Sequence, residues 1–537
     1  MMIRDPFQEG LARGWKVVDA ARLDSDREDS ADVVIVGSGA GGGIAAEILS
    51  RSGLRVIVVE EGPLRSSRDF RMREAEAYPA LYQESAARKT ADKGINILQG
   101  RCVGGSTTVN WTSSFRTPPA TLDFWQRQFG LADYTAEALL PWFEMVERRL
   151  SISPWLVSPN ANNEILRTGA ARLGIATQAM RRNVNGCWNL GYCGTGCPSN
   201  AKQSMLVTTL PAALELGATV YYGLRAERLA MTGDTVTGLE CVAMDAAGIR
   251  PRTQRVRLRA RHFVLAGGAI GSPALLLRSG APDPSAQLGR RTFLHPTLVS
   301  AALMEAAVDG YSGTPQSLYS DHFLDNLPID GPLGYKLEAP PLHPVLFATT
   351  LQGFGEGHAA LMKQFSHAHA LLALLRDGFN VASRGGQVRL RDDGTPLLDY
   401  PLDDVIWDGA RRALLSMAEI QFAAGARKVY AVHEQCSGWD SWAAAKEGIA
   451  RLPLRPLALR LVSAHVMGGC AMGGDAARSV VDGRGRHHQL GNLTVADGSL
   501  FPTSIGANPQ QSVYGIVARN ISALAQSLSG RPAAALA

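Results

Sequence analysis

A glycine-rich loop between a β-strand and an α-helix is the feature of this sequence that most constrains its fold. Residues 32–36 are an apolar, β-branched run, which is typical of a buried parallel strand. The loop GSGAGGG follows at residues 37–43, residues 44–50 have helical spacing, and a second apolar run covers residues 56–59. The pattern predicts one βαβ unit of about 30 residues, which is long enough for a right-handed crossover.

The spacing of the loop glycines predicts a dinucleotide-binding site. Gly37 allows the tight turn, Gly39 lets the backbone approach a pyrophosphate, and Gly42 lets the helix pack closely on the strand. Glu60 lies 18 residues after Gly42 and can accept both ribose hydroxyls, so FAD or NAD is favoured over NADP. The alternative is a structural turn in an unrelated α/β domain, because a chain with 56 glycines produces such spacings by chance.

Two later segments repeat the pattern of a strand that ends in glycine. Residues 262–266 end at Gly267, and residues 493–496 end at Asp497 before a long helix over residues 513–528. Together with the first unit they predict a mostly parallel, Rossmann-like sheet. The intervening segments contain short alternating runs at residues 297–304, 333–337, 344–350 and 387–390, and amphipathic helices at 134–150 and 404–424. The predicted fold class is therefore α/β, with an α+β second part built on an antiparallel sheet with flanking helices.

Length, charge and cysteine content exclude several classes of protein. A chain of 537 residues suggests two or three domains, and its net charge of +5 includes no basic block that would track nucleic acid. Seven cysteines are too few for a disulfide scaffold. The sequence contains no uninterrupted apolar stretch of about 18 residues, so we expect no membrane-spanning helix. Residues 1–30 lack the apolar core of a secretory signal, so we expect a cytoplasmic protein, with peripheral contact to a membrane left open.

Three longer motifs resemble the glucose–methanol–choline (GMC) family of FAD-dependent oxidoreductases. Residues 100–110 (GRCVGGSTTVN) resemble its first signature, and residues 268–280 (GAIGSPALLLRSG) its second. The segment from HVMG at residue 465 to Asn508-Pro509 resembles the catalytic region. The resemblance is strongest to the branch of long-chain alcohol oxidases and FAD-dependent alcohol or sugar dehydrogenases. It implies a discontinuous FAD-binding domain (residues 28–116, 200–300 and 461–537), a substrate-binding domain and cap (117–199 and 301–460), and an N-terminal extension (1–27).

The resemblance and the loop together predict the residues that bind FAD. Val109 stands where some family members carry a histidine bonded to the flavin, so we expect a non-covalent cofactor. The predicted cofactor-binding residues are Gly37, Gly39, Ala40, Gly42, Glu60, Gly100, Arg101, Gly104, Gly105, Ser106, Asn110, Ala226, Gly267, Asp497, Gly498, Asn508 and Pro509.

Two residues are predicted to act on the substrate. Oxidising an alcohol to a carbonyl requires removal of the hydroxyl proton and a polar group that holds the oxygen. Family enzymes place a His, and a second His or Asn, in front of the flavin. The resemblance therefore assigns His465 as the base or hydrogen-bonding partner and Asn508 as the residue that orients the oxygen. Gly469 departs from the family pattern, which often has Thr or Ser there.

Cys187, Cys193 and Cys197 form a cluster with the spacing C-x5-C-x3-C. One interpretation is small apolar core residues, and another is a disulfide with a spare thiol. A third is a three-iron iron–sulfur cluster held by three thiolates, as in the membrane-coupled sugar dehydrogenases that the spacing resembles.

The sequence thus predicts oxidation of an alcohol, hydrophobic and primary or secondary, by hydride transfer to flavin N5. One alternative is an oxidase that releases hydrogen peroxide, and another is a flavin-containing hydroxynitrile lyase with no net redox chemistry. The expected partners are a small-molecule alcohol and an electron acceptor. The acceptor is a quinone, a dye-like compound, an electron-transfer protein or oxygen, and because of the cysteine cluster we expect faster turnover with a quinone or dye than with oxygen.

Overall fold

Two eight-stranded sheets organise residues 3–351 and 353–536, which are the residues that the computed structural model describes. Six strands of the first sheet run parallel, and two antiparallel strands extend it at one end. The first sheet consists of Lys16–Asp19, Thr219–Tyr222, Val56–Val59, Arg27–Val36, Pro251–Leu265, Thr235–Met244 and Leu224–Thr232 in that order, with Leu493–Val495 paired to Pro251–Leu265.

The 15-residue strand Pro251–Leu265 is the centre of this sheet. One of its edges pairs with Arg27–Val36. Its other edge pairs first with Thr235–Met244 and then, near its end, with Leu493–Val495. The three strand–glycine units of the sequence are therefore neighbours, and the loops that follow them meet at one edge of the sheet. This confirms the predicted Rossmann-like sheet.

The helix that follows the glycine loop packs on the sheet through bare backbone. Helix Ala40–Arg51 begins directly after the glycine loop, and residues 41–50 are buried. A Cβ atom on Gly42 would lie 1.9 Å from the carbonyl oxygen of Gly37, and one on Gly41 would lie 1.6 Å from that of Ala496. No other residue type fits either position, because such contacts are far inside van der Waals distance.

The second sheet is mostly antiparallel. Its strands are Ile95–Ile97, Leu461–Ser463, Thr297–Leu303, Ala368–Leu375, Tyr335–Glu338, Leu318–Ser320 and Gln178–Ala179 in that order, with Lys428–Ala431 paired to Thr297–Leu303. Among the described residues, three short antiparallel strand pairs lie outside both sheets: Thr292–Phe293 with Met467–Gly468, Gln387–Leu390 with Pro396–Asp399, and Ile152–Pro154 with Arg181–Asn183.

Fifteen α-helices and five short 3₁₀ helices are present in the described residues. The α-helices are Pro6–Ala12, Ala40–Arg51, Glu74–Leu81, Ser106–Val109, Pro119–Phe129, Ala136–Arg149, Ala161–Arg172, Thr209–Glu215, Gly268–Ser279, His322–Asp325, Pro344–Thr350, Gly355–Met362, Asp404–Ala423, Trp442–Arg451 and Gln510–Ser529. The 3₁₀ helices are Ala20–Arg22, Gln83–Ala86, Cys193–Thr195, Phe365–His367 and Gly498–Leu500. Within the described ranges, none of these helices has the length and apolar character needed to cross a bilayer.

One predicted strand is wrong. Residues 344–350 form the helix Pro344–Thr350 rather than an antiparallel strand. The carboxylate of Glu74 accepts the backbone N–H groups of Val345 and Leu346, at 2.7 and 2.8 Å. It thereby satisfies two donors of the first helical turn and complements the helix dipole. The partner comes from a distant segment, so the local pattern could not indicate it.

Residues 387–390 do form the predicted strand, but outside the second sheet, in a pair with Pro396–Asp399. The domain boundaries given above and the cytoplasmic location stay predictions.

Candidate active site

A cavity of about 1210 Å³ runs from the edge of the first sheet to one face of the second. It exceeds the usual 300–1,000 Å³ of pockets for small ligands, so it has room for a dinucleotide and a substrate together. The loops after Val36, Leu265 and Val495 line its first half. The position agrees with the general rule that open α/β sheets bind ligands beyond the carboxyl ends of their strands.

Glycine backbone forms the wall of this first half. Gly39 and Gly105 approach each other so closely that a Cβ on Gly105 would lie 2.7 Å from the Cα of Gly39. A Cβ on Gly100 would lie 2.7 Å from the carbonyl carbon of Gly105. Gly105 also has φ of +54°, which side-chain-bearing residues rarely adopt. These features leave bare backbone facing the cavity, which is what a flat ring or a phosphate needs.

Glu60 lies at the end of its strand, buried against the glycine loop. It accepts the backbone N–H and the hydroxyl of Ser38 through one oxygen and the Gly62 N–H through the other. Burial raises the pKa of this carboxyl. Ser38, which was not predicted, also accepts the Gly104 N–H at 3.0 Å, so it joins the first loop to the segment 100–110.

Asp497 joins the third loop to the second. Its Oδ2 accepts the Gly268 N–H at 2.8 Å and the Ser272 hydroxyl at 2.6 Å, and its Oδ1 accepts the Ser499 N–H at 2.8 Å. Burial raises the pKa of Asp497 as well. The aspartate therefore fixes the N-terminus of helix Gly268–Ser279 at the cavity wall.

Three of the predicted cofactor-binding residues line the cavity and already bond to other protein groups through their side chains. Ser106 accepts the Gly100 N–H at 2.9 Å. Asn110 donates to Gln510 at 2.6 Å. Arg101 pairs with Glu61 at 3.1 Å. These side chains hold the wall in shape, and their remaining hydrogen-bonding capacity is available to a ligand.

Most of the predicted cofactor residues lie around this one cavity. The lining includes Gly37, Gly39, Ala40, Glu60, Gly100, Arg101, Gly105, Ser106, Asn110, Ala226, Gly267, Asp497, Gly498, Asn508 and Pro509, and also Val109. Gly42 and Gly104 lie behind the lining. Gly42 permits the helix packing described above, and Gly104 donates to Ser38.

His465 lines the same cavity, just after strand Leu461–Ser463. Its Nδ1 lies 3.1 Å from the Nδ1 of His295, which leaves Nε2 as the nitrogen available to a ligand. Desolvation lowers the pKa of His465 to about 4. The imidazole is therefore neutral at pH 7 and able to accept a proton.

Asn508 lines the same cavity, before helix Gln510–Ser529. Its Nδ2 is 3.5 Å from Oε2 of Glu338, and Gln316 donates to that same oxygen. Oδ1 of Asn508 has no partner among the described residues. Burial raises the pKa of Glu338 to about 7, although the nearby Lys336 opposes this. The glutamate thus sets the orientation of the Asn508 amide.

His295, Gln316 and Glu338 were missed because no motif marks them. The only signal in the sequence is strand alternation, which puts Lys336 and Glu338 on one face of Tyr335–Glu338.

The second half of the cavity is apolar. Alternate residues of two paired strands face it: Thr297, Val299 and Ala301 from one, and Ala370, Leu372 and Leu374 from the other. Leu346 and Phe347 of helix Pro344–Thr350 lie opposite. No charged side chain from these three elements lines the cavity in the described residues. This wall suits a hydrocarbon chain.

The three clustered cysteines lie outside the cavity lining and are not disulfide-bonded. Cys193 lies 4.0 Å from a guanidinium nitrogen of Arg182, and its backbone carbonyl accepts from Lys202 at 2.8 Å. Across residues 3–351 and 353–536, no group of three or more His, Cys, Asp or Glu side chains is arranged to hold a metal ion. The structure therefore gives no support to the predicted three-iron cluster.

Comparison with protein families shows which known family models this chain matches. Two family models described as GMC oxidoreductase match residues 78–297 and 382–516. A model described as FAD binding domain matches residues 32–72.

Individual relatives cover nearly the whole chain. An uncharacterized GMC-type oxidoreductase of Mycobacterium tuberculosis is 31% identical, over 91% of this chain and 75% of its own. A long-chain-alcohol oxidase of Arabidopsis thaliana is 29% identical, over 95% of this chain and 70% of its own. Among solved structures, pyridoxine 4-oxidase from Mesorbium loti has a TM-score of 0.67 at 21% identity, over 91% of this chain and 98% of its own. At 21% identity, the similarity to pyridoxine 4-oxidase shows only that the two proteins share a fold.

The substitution Gly105→Ala tests the glycine wall. Its new Cβ would meet the Gly39 backbone, so the two loops must separate and the cofactor should bind more weakly. Gly53→Ala is the matched control, because Gly53 also has positive φ (+79°) but open space around it. Flavin fluorescence quenching on reconstitution of apoprotein should show an FAD Kd raised about tenfold or more for Gly105→Ala, which corresponds to ~1.4 kcal/mol. Equal Kd values for the two variants would contradict this role of Gly105.

Proposed function

Because the chain belongs to the GMC oxidoreductase family, and is thus an FAD-dependent oxidoreductase of the kind that acts on alcohols, we propose that its substrate is a hydrophobic alcohol. One observation carries the proposal: a single cavity joins the glycine-lined half to the apolar half, and His465 and Asn508 both line it. The apolar half would suit the kind of substrate after which the relatives called long-chain-alcohol oxidases are named.

The residues of the first half fit a non-covalent FAD. The bare backbone at Gly39 and Gly105 would face the pyrophosphate or the ring, and Glu60 would meet the adenosine ribose. Val109 lines the cavity and offers no nucleophile for a bond to the flavin. When bound, FAD supplies a ring that accepts the hydride from the alcohol carbon.

The chain's own contribution is to place the alcohol and to remove its proton. The neutral His465 accepts the hydroxyl proton at Nε2, and the Asn508 amide orients the oxygen. Val299, Ala370 and Leu372 bind the alkyl chain and displace water from the reacting end. The alcohol carbon then loses a hydride while its oxygen becomes a carbonyl.

We propose oxygen as the electron acceptor, with one hydrogen peroxide released for each alcohol oxidised. The expected preference for a quinone or dye depended on an iron–sulfur cluster. In the described residues, the three thiols are not arranged to hold one. The relatives named long-chain-alcohol oxidases favour oxygen. A hydroxynitrile lyase remains the alternative from another class, and it predicts no flavin reduction by alcohols.

Peroxide production tests the acceptor. In air, we expect hydrogen peroxide and aldehyde or ketone in a 1:1 ratio, at a rate at least equal to that with a quinone or dye under nitrogen. The measurement is a coupled peroxidase assay alongside chromatographic quantification of the carbonyl product. A rate with dye that greatly exceeds the rate in air, with little peroxide, would contradict the oxidase proposal.

Substitution of the two polar residues tests the chemistry. We expect His465→Ala to slow the reduction of bound flavin by alcohol by about 10² to 10⁴-fold, the usual contribution of a positioned acid–base group. Asn508→Ala should slow it too, because it removes a polar contact to the oxygen. Both variants should still bind FAD, because neither residue supplies the glycine-lined backbone that would hold its phosphates. Absorbance spectra check the binding, and stopped-flow mixing measures the rates. An unchanged rate for His465→Ala would rule out its assigned role.

The apolar half of the cavity should make the rate depend on the length of the alcohol's alkyl chain. Ala370→Phe adds a ring to the wall of the cavity, so kcat/KM should fall steeply for long alcohols and little for short ones. The measurement is kcat/KM across a series of linear alcohols of increasing length. Ala443→Phe, at an exposed position of helix Trp442–Arg451, is the control and should follow wild type. A uniform loss at every chain length would place the alkyl chain elsewhere.

A further inference from the structure

We propose that His295 is the positioning residue for His465. The proposal rests on the function assigned to His465 above and extends it to a residue outside the family-like motifs. His295 does not line the cavity, so it acts on the substrate only through His465.

The first support is the hydrogen bond between the two rings. The Nδ1 atoms lie 3.1 Å apart, and the ring centroids are 5.3 Å apart. Two ring nitrogens can bond in this way only if a single proton lies between them. For His465 to accept a proton at Nε2, its Nδ1 must carry the hydrogen, and Nδ1 of His295 then accepts it. In that arrangement the bond orients the His465 ring and keeps its hydrogen on Nδ1, as the proposed role requires.

The second support is the isolation of His295. Its side chain is completely buried, and its Nε2 has no partner among the described residues. The bond to His465 is thus the only hydrogen bond of this imidazole within residues 3–351 and 353–536. Burial of a polar ring with one nitrogen unpaired lowers the stability of the fold. The presence of such a ring therefore points to a role for the one hydrogen bond that it makes.

The third support is the backbone, which holds His295 in an unfavourable conformation. The φ angle of His295 is +50°, in the left-handed region. Asp377 accepts the N–H groups of Leu294 and His295, at 3.0 and 3.1 Å, and is itself bound by the Tyr400 hydroxyl. Strained backbone that is held by several bonds is concentrated at functional sites.

The charges around His295 keep it neutral. Burial, the neighbouring His465, and the cations Lys336 and Arg376 all lower its pKa, while the carboxylate of Asp377 is committed to the backbone. A neutral His295 can accept the Nδ1 hydrogen of His465, whereas a doubly protonated ring could not.

Two substitutions that tolerate the left-handed backbone separate positioning from packing. His295→Gly removes the ring without backbone strain, whereas His295→Asn keeps a hydrogen-bonding atom at the place of Nδ1. We expect His295→Gly to slow flavin reduction by alcohol about 10- to 100-fold, the range known for the loss of a residue that orients a metal-binding histidine. His295→Asn should restore most of the rate. His433→Asn is the control, because His433 is buried, lies outside the cavity and bonds only to backbone.

A spectroscopic titration supplies a readout that needs no alcohol. Protonation of His465 beside the bound flavin should perturb the visible flavin spectrum. In wild type the pKa of His465 is about 4, so the spectrum should stay constant from pH 8 down to about pH 5. In His295→Gly, water enters and the pKa rises toward the ordinary value of about 6.5, so a transition should appear near pH 6 and the rate should fall with it. His295→Asn should titrate as wild type does.

Two results would overturn the proposal: wild-type rate and titration in His295→Gly, or a loss in His295→Asn as large as in His295→Gly. Failure of the proposed function is a separate result. It would appear as a wild-type flavin that no alcohol reduces, and the titration of His465 would still test the bond to His295.

Discussion

The whole site is held together by the parallel pairing of two strands, Arg27–Val36 and Leu493–Val495, with the central strand Pro251–Leu265. This pairing brings the carboxyl ends of Arg27–Val36 and Leu493–Val495 beside that of the central strand, although the three segments lie more than 200 residues apart in sequence. Gly37, Gly267 and Asp497 therefore meet at one edge. The Gly268 N–H donates to Asp497 and the Gly104 N–H donates to Ser38, and these two bonds hold the loops around the cavity.

The second sheet adds what the first cannot provide. Strands Thr297–Leu303 and Ala368–Leu375 contribute an apolar wall, and Tyr335–Glu338 places Glu338 behind Asn508. His295 directly precedes Pro296 and the first of these strands, so it reaches His465 from the second sheet. Each of the two polar residues proposed to act on the alcohol is thus held by a buried group that the cavity does not contact.

The sequence predicted those parts of the structure that local patterns determine. The glycine loop, the strands before it and after it, and the segments that line the glycine-rich half of the cavity follow from spacing and from the family resemblance. Helix Pro344–Thr350 could not be predicted as a helix, because the carboxylate that caps it belongs to Glu74. His295 and Glu338 could not be found for the same reason: their partners, His465 and Asn508, are both 170 residues away. The spacing of Cys187, Cys193 and Cys197 fits a cluster, but spacing alone does not bring three thiols to one metal.

The proposed reaction is the oxidation of a hydrophobic alcohol by the flavin that this chain binds. The most direct measurement is a single turnover without oxygen, in which the holoprotein is mixed with a long-chain primary alcohol and both the flavin absorbance and the product are followed. We expect complete loss of the oxidised-flavin band, with one aldehyde formed for each flavin reduced. An unchanged flavin spectrum across linear alcohols of all lengths would contradict it.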